Sequence, residues 1–234
     1  MNATVPTLDP TERLALKLAR LNPTTTKFDV GNGGGMPGLT PQDTAAALGM
    51  VPAGLGLELL LAVHWPDAAK RNRARLLELM TVEQLCEHNR REQAMYRALC
   101  QVATGESRDK ARVTAAYSAA HAARWPTMVI KHEPLTLAEP YKHIRLAVIE
   151  ELTHPRQCPV CAGRELRDRA GQAKTCERCL GHGTVAYGPT WRSKRLGMDG
   201  RSGFTRWQDA YQWMLDLARE ELVGAEGALI RALR

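Results

Sequence analysis

The 234-residue chain has no run of about eighteen apolar residues, so no segment is expected to cross a bilayer. Its most apolar stretch, Leu57 to Val63, is broken by Glu58. The N-terminal Met1-Asn2-Ala3-Thr4-Val5-Pro6 has no positive flank leading into an apolar run, so no secretory signal is expected and a cytoplasmic protein is the default. Strand-like alternation is sparse and no internal repeat is apparent. These absences leave helix as the dominant expected element. With 44% hydrophobic and 24% charged residues in 25.9 kDa, the composition is that of a soluble globular protein. The chain is long enough for one sizeable domain, or for a helical domain with a small module attached.

Against that background the cysteines stand out. Four of the six fall in two Cys-x-x-Cys pairs, whose short loops suit a metal better than two disulfides. Cys86 and Cys100 lie in a helical stretch and are expected to be small buried hydrophobes. The pairs are Cys158-Pro159-Val160-Cys161 and Cys176-Glu177-Arg178-Cys179, with fourteen residues between them. Each turn sets two sulfurs on one side of a tight loop, where backbone amides can donate to them. Together the pairs supply the ligands of one closed, tetrahedral, structural Zn²⁺ site. Gly163, Gly181 and Gly183 suit the sharp turns after each second cysteine. Four thiolates leave no open coordination position, so no catalysis is expected at the metal. Arg156, Arg164, Lys174 and Arg178 can offset the negative charge of the metal–thiolate cluster. His154 and His182 read as ordinary polar or phosphate-facing residues. A thioredoxin-like site would need a strand–helix context that is missing here. A zinc-stabilised nuclease would need a His with Asn or Asp ligands beside the knuckles, and His154-Pro155-Arg156 and His182-Gly183 do not supply them.

The net charge of +7 is unevenly placed. From His154 to Arg206 eleven Lys and Arg face four acids, so this segment carries the whole net charge and the rest of the chain is balanced. Positive charge concentrated around a metal site is the footprint expected for contact with phosphate. The Lys70-Arg71-Asn72-Arg73-Ala74-Arg75 run reads instead as a solvated helix face.

The punctuation of the chain suggests four regions. Residues 1–39 form a flexible N-terminal arm, with a short helix near Thr11 to Leu21 and the glycine-rich Gly31 to Gly38. A helical domain follows over 40–154, opening with Thr40 as N-cap and Pro41 at the first helical position. Its helices are expected over Leu55–Val63, Pro66–Met80, Val82–Thr104 with Thr81 as cap, Asp109–Ala123 and Tyr141–Leu152. On the third of these segments Val82, Leu85, Cys86, Tyr96, Leu99, Cys100 and Ala103 share a face, interrupted by Asn89, Glu92 and Gln93. Thr127 to Ile130 reads as a short extended segment. Residues 155–186 form the zinc finger, and 187–234 a helix-turn-helix with the C-terminal helices.

That last region starts with Pro189 to Leu196, turns through Gly197 to Gly203, and continues as a long helix from Phe204 with Ser202 as candidate N-cap. Phe204, Trp207, Tyr211, Met214, Leu215, Ala218 and Leu222 form its apolar stripe, and Trp213, off the stripe, reads as a second internal packing position, with a partner contact as the alternative. A short helix, a glycine-containing turn and a second helix that opens with basic side chains is the layout of a DNA-binding helix-turn-helix, with an ordinary αα-hairpin closing the bundle as the alternative. Arg201, Thr205 and Arg206 would then reach bases, while Arg192, Lys194 and Arg195 would meet phosphates. The expected class is thus all-α: a helical bundle with an inserted four-cysteine zinc finger and a C-terminal helix-turn-helix.

Cysteine pair, loop, second pair followed by Gly181-His182-Gly183, basic stretch and late helix carrying Trp207 together resemble the antitermination protein Q family of the phage lambda type. A second resemblance lies upstream, where Asp43-Thr44-Ala45-Ala46-Ala47-Leu48-Gly49-Met50 precedes Ala53-Gly54-Leu55-Gly56 and an apolar helix. The two matches cover about residues 43 to 65 and 158 to 220. The resemblance implies a phage late-gene regulator that binds promoter DNA, loads onto a paused bacterial RNA polymerase and makes it read through terminators, with no reaction catalysed. It implies double-stranded DNA and bacterial RNA polymerase as partners, nascent RNA as a further candidate partner, no membrane, and a place in the bacterial host cytoplasm. Carried over, Cys158, Cys161, Cys176 and Cys179 look like the zinc ligands. The chain departs from the lambda protein in a longer middle region near 66–157 and a shorter loop between the cysteine pairs, which leaves the DNA contacts open. Cys176 to Gly183 is also similar to the cysteine-rich region of DnaJ-type chaperones, so a zinc-bearing chaperone or adaptor is the alternative. That region has four such repeats, against two pairs here.

Overall fold

In the computed structural model of the chain, the described residues are 41–104, 110–126, 139–169, 172–198 and 200–233. The expected N-terminal arm, with its helix over Thr11 to Leu21, and the expected extended segment Thr127 to Ile130 lie outside them. Helix dominates the rest. The helices are α1 (Pro41–Met50), α2 (Leu55–His64), α3 (Pro66–Thr104), α4 (Lys110–Ala122), α5 (Glu139–Thr153), α6 (Pro189–Arg195), α7 (Gly200–Thr205) and α8 (Gln208–Ala232). Four short strands lie between α5 and α6: β1 (Arg156–Gln157), β2 (Leu166–Arg169), β3 (Gln172–Thr175) and β4 (Thr184–Val185). No helix among the described residues is long and apolar enough to cross a membrane.

The described residues fall into two compact units, one of 41–76 with 216–233 and one of 77–215. In the first, Ala47 and Val51 at the end of α1, Leu60 of α2, and Ala225 and Leu229 of α8 form an apolar core, with Leu48, Leu57 and Leu222 packed around it. Backbone proximity is part of this packing. A Cβ placed on Gly56 would lie 2.7 Å from the Glu221 carbonyl oxygen and 3.2 Å from the Ala225 side chain, so α2 approaches α8 only because residue 56 has no side chain. His64 Nε2 and Glu226 Oε1 meet at 2.9 Å on the same pair of helices.

The second unit is built around aromatic and polar burial together. Tyr141, Ile144, Ala147 and Val148 of α5 are buried, as are Phe204, Trp207, Ala210, Tyr211, Met214 and Leu215. The apolar stripe expected from Phe204 onward is thus the buried face, and Trp213 packs edge-on against Trp125 at 5.2 Å between ring centroids, inside the unit. Tyr141 meets Trp207 edge-on at 5.0 Å, and its hydroxyl donates to the Pro126 carbonyl.

Helix α3 differs from the sequence expectation in two ways. It is continuous through Thr81, whose hydroxyl donates to the Leu77 carbonyl at 2.5 Å one turn back instead of capping a new helix. It also buries the other face. Met80, Gln84, Glu87, His88, Met95 and Ala98 are buried, while Val82, Cys86, Tyr96, Leu99, Cys100 and Ala103 are exposed. Cys86 and Cys100 are therefore surface thiols and not the buried hydrophobes expected. The reason is that the polar residues of this face bring partners with them. The Gln84 side-chain oxygen accepts from Arg145 of α5, and Glu87 accepts from Arg90 and Arg91 at 2.6 and 2.7 Å. Burial raises the Glu87 carboxyl, but the two guanidiniums hold it below the usual carboxylate range.

Candidate metal centre

The segment between α5 and α6 contains two antiparallel strand pairs, β1 with β4 and β2 with β3. Gln157 is paired with Thr184, and Leu166 with Thr175. Each pair opens onto one Cys-x-x-Cys turn. The sulfurs of Cys158, Cys161, Cys176 and Cys179 all lie within 4.8 Å of one another, and all four residues are buried. Cys158 Sγ and Cys176 Sγ are 3.9 Å apart, Cys161 Sγ and Cys179 Sγ 3.6 Å. A disulfide needs about 2.05 Å, whereas a tetrahedron of sulfurs at about 2.3 Å from a central Zn²⁺ has edges of ~3.8 Å. The four cysteines are able to hold a metal ion, and the spacing is consistent with a zinc site.

The two knuckles are copies of one another. Partner cysteines across the site are 18 residues apart, and the same offset relates the backbone. Ala162 and Leu180 have φ of 49° and 52°, Gly163 and Gly181 of 79° and 88°, and Glu165 and Gly183 of 65° and 68°. The hydrogen bonds are reciprocal too. Cys158 N–H donates to the Gly183 carbonyl at 2.8 Å, and Cys176 N–H to the Glu165 carbonyl at 2.9 Å. Arg164 N–H donates to the Cys161 carbonyl, and His182 N–H to that of Cys179. An internal repeat therefore exists where none was apparent in the sequence. Only the cysteines and the first glycine of each copy are identical in type, because the rest of the repeat is carried by backbone geometry, which many side chains satisfy. Gly181 and Gly183 answer to that geometry: besides its positive φ, Gly183 would place a Cβ 3.0 Å from the Gly163 carbonyl oxygen.

Electrostatically the thiols are unequal. Burial raises Cys158, but the Cys161 and Val160 amides and neighbouring thiols bring it down to about 7. Burial and the Cys161 side chain push Cys179 up to about 11. Arg156, Arg164, Lys174 and Arg178 are exposed on this module, as is His182.

The module is held at its neck by the helices that flank it. Arg192 of α6 donates to both oxygens of Glu151 of α5, at 3.1 and 2.7 Å, with side chains only 11% and 4% exposed. The Tyr211 hydroxyl donates to the same carboxylate at 2.9 Å, and the Arg192 guanidinium lies 4.7 Å from the centre of the Tyr211 ring. Arg195 pairs with Glu150 and lies over Trp191, on which Tyr187 stacks at 4.0 Å. The Tyr187 hydroxyl donates to the His154 carbonyl at 2.7 Å.

These contacts sort the sequence-predicted nucleic-acid residues. Arg192 is turned inward and serves the clamp. Arg195 is engaged with Glu150. Lys194, Thr205 and Arg206 are exposed. Arg201 lies on α7, and its side chain is outside the described residues. α6 and α7 pack against each other across a turn in which Gly197 has φ of 70° and Ser193 Oγ donates to the Met198 carbonyl. The second helix of this pair starts at Gly200 and stops at Thr205, before α8 begins at Gln208. Ser202 therefore sits inside a short helix and is not the N-cap of a long one. The clamp residues Glu151 and Tyr211 were missed. The signal for Glu151 was a carboxylate at the end of an apolar helical face, a position that needs a cation to be buried. Compared with models of known families, with curated proteins and with solved structures, the chain matches none.

Proposed function

We propose that this chain is a phage late-gene transcription antiterminator that binds promoter DNA and bacterial RNA polymerase in the host cytoplasm and promotes read-through of terminators. The observation that carries this reading is the coincidence of a buried four-thiol site with the one segment that holds the chain's net charge of +7. In this reading the metal is one structural Zn²⁺, held by Cys158, Cys161, Cys176 and Cys179, and it does no chemistry. It fixes the basic module, while the Arg192–Glu151–Tyr211 clamp fixes the module's helices. The α6–α7 pair takes the place of a helix-turn-helix, with Lys194, Thr205 and Arg206 as exposed contacts and Arg201 beside them. Binding by such a surface weakens steeply with salt, because each neutralised phosphate releases counterions.

The test is transcription by purified bacterial RNA polymerase from a cognate late promoter across a terminator. Addition of the zinc-loaded protein is expected to raise read-through, and no increase would sink the reading. Metal analysis of the purified protein is expected to give one zinc per chain. Iron in the tetrad would overturn the zinc assignment and leave the thiolate site standing.

A further inference from the structure

The second unit contains a cleft that the metal site does not account for and that reaches Arg206, at the edge of the α6–α7 pair. It has a volume of about 470 Å³ and is lined by His121, Arg124, Trp125, Pro126 and Arg206. That described lining holds three nitrogen bases and no carboxylate. Its floor is rigid. The Trp125 indole N–H donates to Asp209 at 2.8 Å, the Arg91 guanidinium lies 4.7 Å from the ring centre, and the Pro126 carbonyl is held by the Tyr141 hydroxyl at 2.6 Å. Arg124 is oriented by two bonds to Glu92, at 2.5 and 2.8 Å. Arg206 is different: it is exposed, and His121 in the last turn of α4 is exposed too.

We propose that this cleft binds a phosphate ester, with Arg206 and His121 donating to the phosphate oxygens. The volume exceeds that of a bare phosphate and falls in the range of about 300–1,000 Å³ that small-molecule sites occupy. The Trp125–Pro126 wall gives the organic part of the ester an apolar surface to lie on. The phosphate belongs to a nucleotide, either one unit of a bound nucleic-acid strand or a free nucleotide. The strand-bound form rests on the function proposed above and extends the nucleic-acid surface to a segment that no sequence motif marked.

The test uses the full-length, zinc-loaded protein with Arg206→Gln and His121→Ala, and with Lys110→Gln as a charge-matched control on exposed α4. Zinc content and helical circular dichroism are checked first, and all three side chains are exposed, so folding is expected to be retained. Binding of labelled duplex DNA and of ATP is measured across a salt series. Arg206→Gln is expected to weaken duplex binding about tenfold and to lower the slope of log K against log salt by about 1. His121→Ala is expected to weaken it less, and Lys110→Gln to leave it unchanged. If wild type binds duplex and all three variants bind equally, the cleft proposal falls while the DNA-binding reading stands. If wild type binds ATP through Arg206 and no DNA, the cleft is a free-nucleotide site and the DNA-binding reading falls. Binding of neither ligand overturns both.

Discussion

The first unit and the cysteine module solve the same problem by different physics. Ala47, Val51, Leu60, Ala225 and Leu229 come from three helices and the bend after α1, and bury apolar surface against one another, which stabilises by about 25 cal/mol per Å² removed from water. The module between β1 and β4 has no such reserve. Among the described residues its buried cluster is the four cysteines with only Val185 packed against them, while Val160, Leu166 and Leu180 are exposed. A segment this short cannot cover enough apolar surface to offset its chain entropy, and a metal takes the place of the missing core. One region is held by area, the other by coordination. The two should therefore fail under different insults.

The largest effect expected is from metal removal. Structural zinc sites contribute about 10–16 kcal/mol of apparent binding free energy near neutral pH, and the module has no apolar core to fall back on. A chelator, or Cys176→Ser, should release the ion and leave the amides of 156–185 open to hydrogen exchange, while those of α2 keep their protection. Helical circular dichroism should change little, because the module is strand and turn. Acid should act in the same direction. Coordination to a metal deprotonates a thiol outright, so the stability the site gives is present at neutral pH and is lost as pH falls and protons displace the metal. Protection that survives in 156–185 without metal would break the comparison.

Next in size is the neck. Glu151 is nearly buried and is shared by Arg192 and Tyr211. Glu151→Ala leaves a buried guanidinium and a hydroxyl without their acceptor, at a cost of about 3–5 kcal/mol. Thermal unfolding should register that loss while the zinc stoichiometry stays at wild type. Loss of zinc from this variant would mean that the clamp forms the site and does not merely orient it. Leu60→Ala, at a fully buried position of the first unit, should cost about 2–5 kcal/mol. It too should leave metal content untouched, the reciprocal of chelation.

The contrast also explains what could be read from sequence. The metal tetrad was legible because sulfur chemistry admits few substitutes and two short spacings define it. The α8 stripe was legible because it is apolar and buries against its neighbours. α3 was misread because its buried face is made of Gln84, Glu87 and His88, whose burial depends on partners such as Arg145 that periodicity does not reveal. Hydrophobic pattern then pointed to Val82, Cys86 and Tyr96, which face solvent. Arg192 was assigned to phosphate by charge alone, and only tertiary structure supplied the carboxylate that turns it inward. The 18-residue repeat escaped for a related reason, since φ values repeat there and side chains do not.

The smallest effect sharpens the comparison most. Leu180 holds φ of 52° and is 74% exposed, at the place of the first knuckle's Ala162 with φ of 49°. A left-handed backbone costs a branched residue about 1–2 kcal/mol, and asparagine adopts it more readily. With the side chain 74% exposed, little packing among the described residues repays that strain. Leu180→Asn should raise the stability of the metal-loaded module by about 1 kcal/mol, read as a higher midpoint for transfer of zinc to a competing chelator. A lower midpoint would mean that the leucine supports the knuckle after all. Suppose the variant is more stable but loses terminator read-through with purified polymerase. The strained, exposed leucine is then held in place for a protein partner, and the region that lacks an apolar core keeps one apolar side chain for use outside itself.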